Sequence, residues 1–316
     1  MDPEQHLDHQ APEPAPPALP AAPPTGIQVI FRNEKEIRAG WRLLLYLVLF
    51  VALLFAGSYA AAFLRLPQAT PLEVTATGLL TQEAIAMLAA LGAAAILGTL
   101  EGRRFGAYGL PARGAFRARF WMGAGWGLAM ITAILLLISA LGGFSFGSMA
   151  LHGGAIAGYA VLWAVVFVCV GVFEEFLFRG YMQFTAAPAM GYWSAASMLS
   201  ALWALSHLNN VNENHMGALC VFAIGMFFAL TLRRTGDLWF AVGLHASFDW
   251  GETFLFSVPN SGIVATGHLL ESSFHGSEWL TGGTVGPEGS MVTFAAVGLA
   301  AVIFSRLYPA REEDQF

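Results

Sequence analysis

The run Phe173-Glu174-Glu175-Phe176-Leu177-Phe178-Arg179 sets two adjacent carboxylates and a guanidinium into a stretch that is otherwise apolar from Ala155 to Phe178. A charge near the middle of a bilayer costs at least a few kcal/mol, so three together mark a candidate reaction or transport site. Two further apolar stretches each carry a histidine, His207 in Trp203-Ala-Leu-Ser-His207 and His245 in His245-Ala-Ser-Phe-Asp249. Carboxylates and imidazoles at membrane depth are the groups needed for acid/base chemistry there.

Helical spacing separates the roles of the two glutamates. Glu175 and Arg179 stand four apart with the acid first, the favourable order for an i,i+4 ion pair. Glu174 lies about 100° further round the helix and faces elsewhere, out of the arginine's reach. One paired and one unpaired carboxylate is what a general base beside a structural counter-ion looks like. The same three charges also suit a buried network that only holds helices together. A lone membrane histidine such as His207 is commonly a packing residue, and Leu208-Asn209-Asn210 after it reads equally as a helix end. His245 and Asp249 share a helix face, so the carboxylate can orient the ring, a pattern shared by acid/base dyads, metal sites and plain structural pairs. Glu252 adds a carboxylate near by with no assigned role. His152, His215, His268 and His275 fall in loops and read as solvated.

The elements that must position these groups are membrane helices. With 56% apolar and 11% charged residues and a mean hydropathy of +0.60, the composition is that of a polytopic membrane protein. A span needs roughly 20 apolar residues, and eight are read at about 41–64, 79–100, 121–142, 156–184, 192–208, 216–232, 238–257 and 291–308. The predicted fold is therefore an all-α transmembrane bundle. A cytoplasmic N-terminus places 13 of the 15 basic residues inside, so both termini are expected in the cytoplasm. Arg65 then falls outside and Arg179 within the membrane.

Three regions follow: a Pro/Ala-rich tail and interfacial lead-in over 1–40, a transmembrane domain over 41–308, and a short tail over 309–316. Eight of the 15 prolines fall within residues 1–25, which cannot bury a core and are expected to be a disordered tail. The basic stretch 101–120 reads as a topology anchor that contacts anionic lipid. The segment 259–290 has no Lys or Arg, and its His268, Phe274, His275 and Trp279 suit a lid or a lipid-facing wedge. Cys169 and Cys220 lie in expected spans and read as free thiols. No basic, aromatic-interleaved patch suggests nucleic acid.

One difficulty stands in this topology. At 1.5 Å per residue, Glu174 nears the cytoplasmic end of a fourth span and His207 the outer end of a fifth. A shared site requires a fourth span that continues past Arg179 towards Phe184, or a kinked or re-entrant fifth.

Taken in order across three spans, Glu174-Glu175-x-x-x-Arg179, Trp203-x-x-x-His207 and His245-x-x-x-Asp249 resemble the CPBP family, which comprises type II CAAX prenyl endopeptidases and bacteriocin-processing (Abi) intramembrane proteases. Its pattern is EExxxR, FxxxH and HxxxN or HxxxD. The resemblance covers about 155–255. Trp203 departs from it, standing where phenylalanine is usual, as a bulkier aromatic expected to be tolerated. Asp249 replaces an amide by a carboxyl, which donates to an oxyanion only when protonated.

The resemblance implies hydrolysis of a peptide bond in a membrane cavity. Glu174 and His207 would activate water, His245 with Asp249 would stabilise the oxyanion or orient the donor, and Glu175 and Arg179 would hold the architecture. Glu174, His207 and His245 would also suit an open zinc site, although no His-Glu-x-x-His stands on one helix. The reading leans to no obligatory cofactor, with zinc as the alternative. The substrate would be a membrane-associated peptide or protein, CAAX-like or not, and the setting a bacterial inner membrane.

Two other functions compete. A catalytically idle scaffold or immunity protein would have no need of the intact Glu174, His207 and His245 set. A proton-coupled transporter predicts two matching halves, whereas the charged residues here cluster in spans four to seven.

Overall fold

Apolar runs of this length satisfy their backbone polar groups internally, as helix. A computed structural model describes residues 37–70 and 73–310. The tail expected over 1–40 lies outside the described residues as far as position 36, and the C-terminal tail does so from 311. The helices are α1 (Ala39–Phe63), α2 (Ala76–Glu101), α3 (Ala118–Ala140), α4 (Gly154–Glu175), α5 (Gln183–Met190), α6 (Tyr192–His207), α7 (His215–Thr235), α8 (Trp239–Trp250), α9 (Glu278–Thr281) and α10 (Met291–Leu307). Two short strands, β1 (Phe144–Ser145) and β2 (Ser273–Phe274), pair antiparallel.

A helix stands in each of the eight apolar runs read from the sequence. Five helical segments are long and apolar enough to cross a membrane: α1, α2, α3, the stretch Gly154–Met190 and α7. The helix α10 is apolar but shorter, and α6 and α8 have 16 and 12 residues. The sixth run, read over 216–232, holds the 21-residue α7. Only 11% of the apolar window of α1 is buried, against 61% for α7, so α1 is peripheral and α7 central.

The fourth run differs most from its expected bounds. It extends to Met190, 37 residues in all, or about 55 Å of helix against a hydrocarbon core of about 30 Å. A π-helical turn, Phe176–Met182, joins α4 to α5, and Gly180 inside it leaves helical geometry with φ −85° and ψ −111°. That insertion follows directly on Glu175, and such π turns recur at functional positions.

The helix α8 is locked against α3 by close backbone approach. A Cβ on Gly123 or Gly127 would strike the backbone at Phe240 or Leu244, and one on Gly243 would strike that at Phe120. Small residues let membrane helices meet at this distance. The N-terminal end of α8 is fixed as well: Leu238 N–H donates to Gly109 O at 2.8 Å, and Trp239 Nε1 donates to Pro111 O at 2.9 Å. Arg119 also pairs with Asp237. The stretch after α2 is thus packed onto the bundle through buried Tyr108 and Leu110, with Arg103, Arg104, Arg113 and Arg117 exposed.

Candidate active site

Two arms of nearly equal length bring the first two motifs together. Glu174 stands seventeen residues before Gly191 and His207 sixteen after it. Gly191, at φ +87°, turns α5 into α6, and the arms reach back about 25 and 24 Å. The long fourth segment is therefore the feature that brings the two motifs to one level, with α6 a continuous helix over Tyr192–His207.

The indole of Trp203 crosses from one arm to the other. Its Nε1–H donates to Glu174 Oε2 at 2.7 Å. Its ring lies 4.3 Å from the Arg179 guanidinium carbon in a cation–π contact, and it meets the His207 and His245 rings edge-on at 5.1 and 5.8 Å. One turn on, His207 Nδ1 lies 2.9 Å from Trp203 O. A carbonyl only accepts, so Nδ1 carries hydrogen and Nε2 is the nitrogen left for other partners.

The third motif closes the group. His245 Nε2 lies 3.5 Å from Asp249 Oδ2 and 3.9 Å from Glu174 Oε2, and its Nδ1 lies 3.2 Å from Glu175 Oε1. The ring thus sits among three carboxylates, not beside Asp249 alone, and Phe228 stacks on it at 5.1 Å. The i,i+4 pair forms as its spacing predicts: Arg179 Nη1 donates to Glu175 Oε1 at 3.3 Å, with both side chains buried. Glu174 turns away from this pair and is the more exposed carboxylate, at 20% against 0% for Glu175.

Glu174, His207, His245 and Asp249 all line one cavity of about 280 Å³, on the scale of a small-ligand site. No direct ion pair joins Glu174 to His207 among the described residues, and both face the same cavity. Arg179 and Glu175 stand behind this wall. Sequence reasoning missed two further wall carboxylates, Glu83 on α2 and Glu288 in the segment before α10. Glu83 carried a usable signal, as an ionisable residue inside an apolar stretch; Glu288 carried none. The segment 259–290 contributes Asn260, Ser261, Ile263 and Ala265 to the same cavity. It is tied down where Asn210 Nδ2 donates to Ser261 O and Asn212 Nδ2 to Gly262 O, each at 2.9 Å, and where Ser261 Oγ donates to Glu288 Oε2 at 2.6 Å. This segment is a fixed cap, while Trp279 stays exposed.

Other expectations meet the structure less centrally. Cys169 and Cys220 are free and buried. His152, His215 and His275 are exposed, but His268 is half-buried and holds Ala265 O at 2.9 Å. Glu252 is fully buried, and neither of its oxygens has a partner among the described residues. For a metal, Glu174, His207 and His245 are the expected ligands, yet no three His, Cys, Asp or Glu among the described residues are grouped to hold one ion. The rings are instead engaged by Trp203 O and by carboxylates.

Residues 156–251 match the family model described as Type II CAAX prenyl endopeptidase Rce1-like. The match bears out the resemblance drawn from the three motifs, and its bounds enclose all seven residues from Glu174 to Asp249 that carry it. No curated protein and no solved structure matches the chain. The family match and the five helical segments long and apolar enough to cross a membrane support an integral membrane protein.

Proposed function

We propose that the protein is an intramembrane endopeptidase that hydrolyses a peptide bond of a membrane-associated peptide or protein. The observation that carries this reading is the meeting of Glu174, His207, His245 and Asp249 on one cavity within the family-matched segment. A water between Glu174 and His207 gives a proton to the Glu174 carboxylate as its oxygen attacks the scissile carbonyl carbon. The carbonyl oxygen becomes an oxyanion on the His245 side, where a hydrogen on His245 Nε2 or on Asp249 stabilises it. Collapse of the tetrahedral intermediate breaks the C–N bond, and the proton held by Glu174 passes to the leaving amine. Water is consumed, and an acid and an amine are formed.

Glu175 and Arg179 act behind the reacting groups: the carboxylate holds His245 and the guanidinium neutralises the carboxylate. The scheme is written without a metal; Glu174, His207 and His245 are the residues that would hold a zinc ion if one binds. We place the chain in a bacterial inner membrane with eight spans and both termini in the cytoplasm, a topology supported by the basic-residue distribution.

The test is cleavage of a fluorogenic peptide panel, prenylated and not, by purified protein in detergent, with Glu174→Ala and His207→Ala beside wild type and a zinc chelator in parallel. Activity lost in both variants and kept with the chelator is the expected result. Activity kept in both variants would overturn the assignment, and chelator sensitivity would overturn its metal independence.

A further inference from the structure

Trp203 does more at this site than fill the volume of an aromatic. A phenylalanine could also stack on Arg179 and meet the two imidazoles edge-on, but it has no donor. The indole N–H reaches Glu174 Oε2 at 2.7 Å, the short range of a charge-assisted bond. Glu174 is partly exposed at the cavity wall and receives no hydrogen bond from Arg179, whose near nitrogen is given to Glu175. Trp203 itself is 3% exposed, held from above by the guanidinium at 4.3 Å and from the side by Phe228 at 5.9 Å. Its donor is therefore fixed in direction, whereas the carboxylate it holds has three side-chain torsions to fix.

We propose that Trp203 is a positioning residue: its indole N–H pins one oxygen of Glu174 in a single rotamer and leaves the other oxygen to receive the proton of the attacking water. This rests on the endopeptidase reading for its consequence in turnover, but the bond can be tested without it. The same residue fixes His207 through its backbone carbonyl at 2.9 Å, and no side-chain change at 203 removes that contact. A substitution at 203 therefore isolates the hold on the carboxylate. Aligned groups held within hydrogen-bond reach speed a step by sparing the cost of orienting them in the transition state.

Trp203→Phe deletes the donor and keeps a ring over Arg179. The expected result is a fall in kcat of about tenfold or more, the worth of one hydrogen bond to a charged group, with KM and Tm close to wild type. A purely structural role would move Tm and not kcat at saturating substrate. Trp203→Tyr, which restores a donor at a different reach, should recover part of the loss. Unchanged kcat in Trp203→Phe would overturn the proposal.

A second measurement reads the bond directly, so that failure of the protease assignment leaves it testable. In protein labelled with ¹⁵N-tryptophan, the Nε1–H resonance that vanishes in Trp203→Phe belongs to this residue, one of nine tryptophans. Glu174→Ala should move that resonance and speed its exchange with solvent, whereas Glu83→Gln on the same cavity wall should leave it in place. A resonance indifferent to Glu174→Ala would also overturn the proposal.

Discussion

Two ionic clusters are buried in this bundle, and they differ in how completely their polar atoms are answered. At the end of α2, Glu101 receives Arg42 Nε and Nη2 at 2.8 and 2.6 Å, Tyr108 Oη at 2.8 Å and Tyr181 Oη at 2.6 Å. Tyr181 is further stacked on Tyr46 at 4.2 Å. Around the cavity, by contrast, Glu83 Oε2, Glu175 Oε2 and Arg179 Nη2 are buried without a hydrogen-bond partner among the described residues. Buried polar groups are nearly always paired, so a network saturated by its own side chains acts as a structural joint, whereas one with spare donors and acceptors can pair with water or ligand. The first cluster holds α1, α2 and the π turn in register. The second leaves bonding capacity beside the groups that would handle water and a peptide.

That contrast breaks most visibly at Glu174. Glu174→Gln keeps shape and removes the base, so peptide cleavage should fall by about 10²–10⁴-fold, the usual worth of a positioned general base. Tm should hold or rise, since a half-buried charge has been taken away. A stability loss as large as the activity loss would place Glu174 with the joints.

Next in size is Arg179, the joint inside the reactive cluster. Arg179→Met leaves Glu175 buried with its cation gone, an omission that costs about 3–5 kcal/mol in buried pairs. Denaturation in detergent should show this as a fall in Tm, and Arg179→Met combined with Glu175→Leu should recover part of it. Failure of the double variant to recover would mean that the His245–Glu175 contact, not the charge balance, sets the stability.

Glu101→Gln is the reciprocal case. It leaves the amide able to accept from the two tyrosines but weakens the Arg42 bonds, with an expected cost of about 1–3 kcal/mol. Cleavage per folded molecule should stay measurable. Loss of activity at unchanged Tm would erase the distinction between the clusters.

What the sequence discloses follows the same division. Ionisable residues within apolar runs stand out because burial makes them costly, and Glu174, Glu175, Arg179, His207, His245 and Asp249 were all legible in this way. Their registry was not. The fourth run was expected to end near residue 184, yet the helix takes Pro188 in its last turn and continues to Met190. The equal arms about Gly191 depend on those added residues. Trp203 was legible as bulk but not as a donor, since only the fold brings Glu174 within 2.7 Å. Glu288 is 114 positions from Glu174, and nothing local connects them.

The smallest effect lies at the rim, where Glu213 sits on the turn between α6 and α7, outside the membrane-spanning helices. Burial pushes its carboxyl up to about 6; Glu288 adds to the rise, while the Asn214 amide and His207 oppose it. Its Oε2 has no partner among the described residues, and Oε1 receives Asn214 N–H at 2.9 Å. In the unfolded chain the group titrates near 4.3. Between those values the folded protein holds a proton that the unfolded chain has released, so stability falls as pH rises through this window. Wild type should therefore melt at a higher temperature at pH 5 than at pH 7, and Glu213→Gln should flatten that part of the profile while other carboxylates shape the rest. Parallel slopes for the two proteins would show that Glu213 is solvated and that the unsaturated character of the cavity ends at its wall. A flatter slope in the variant would extend it to the rim, in a protein whose other buried carboxylate cluster, at Glu101, has no such unanswered oxygen.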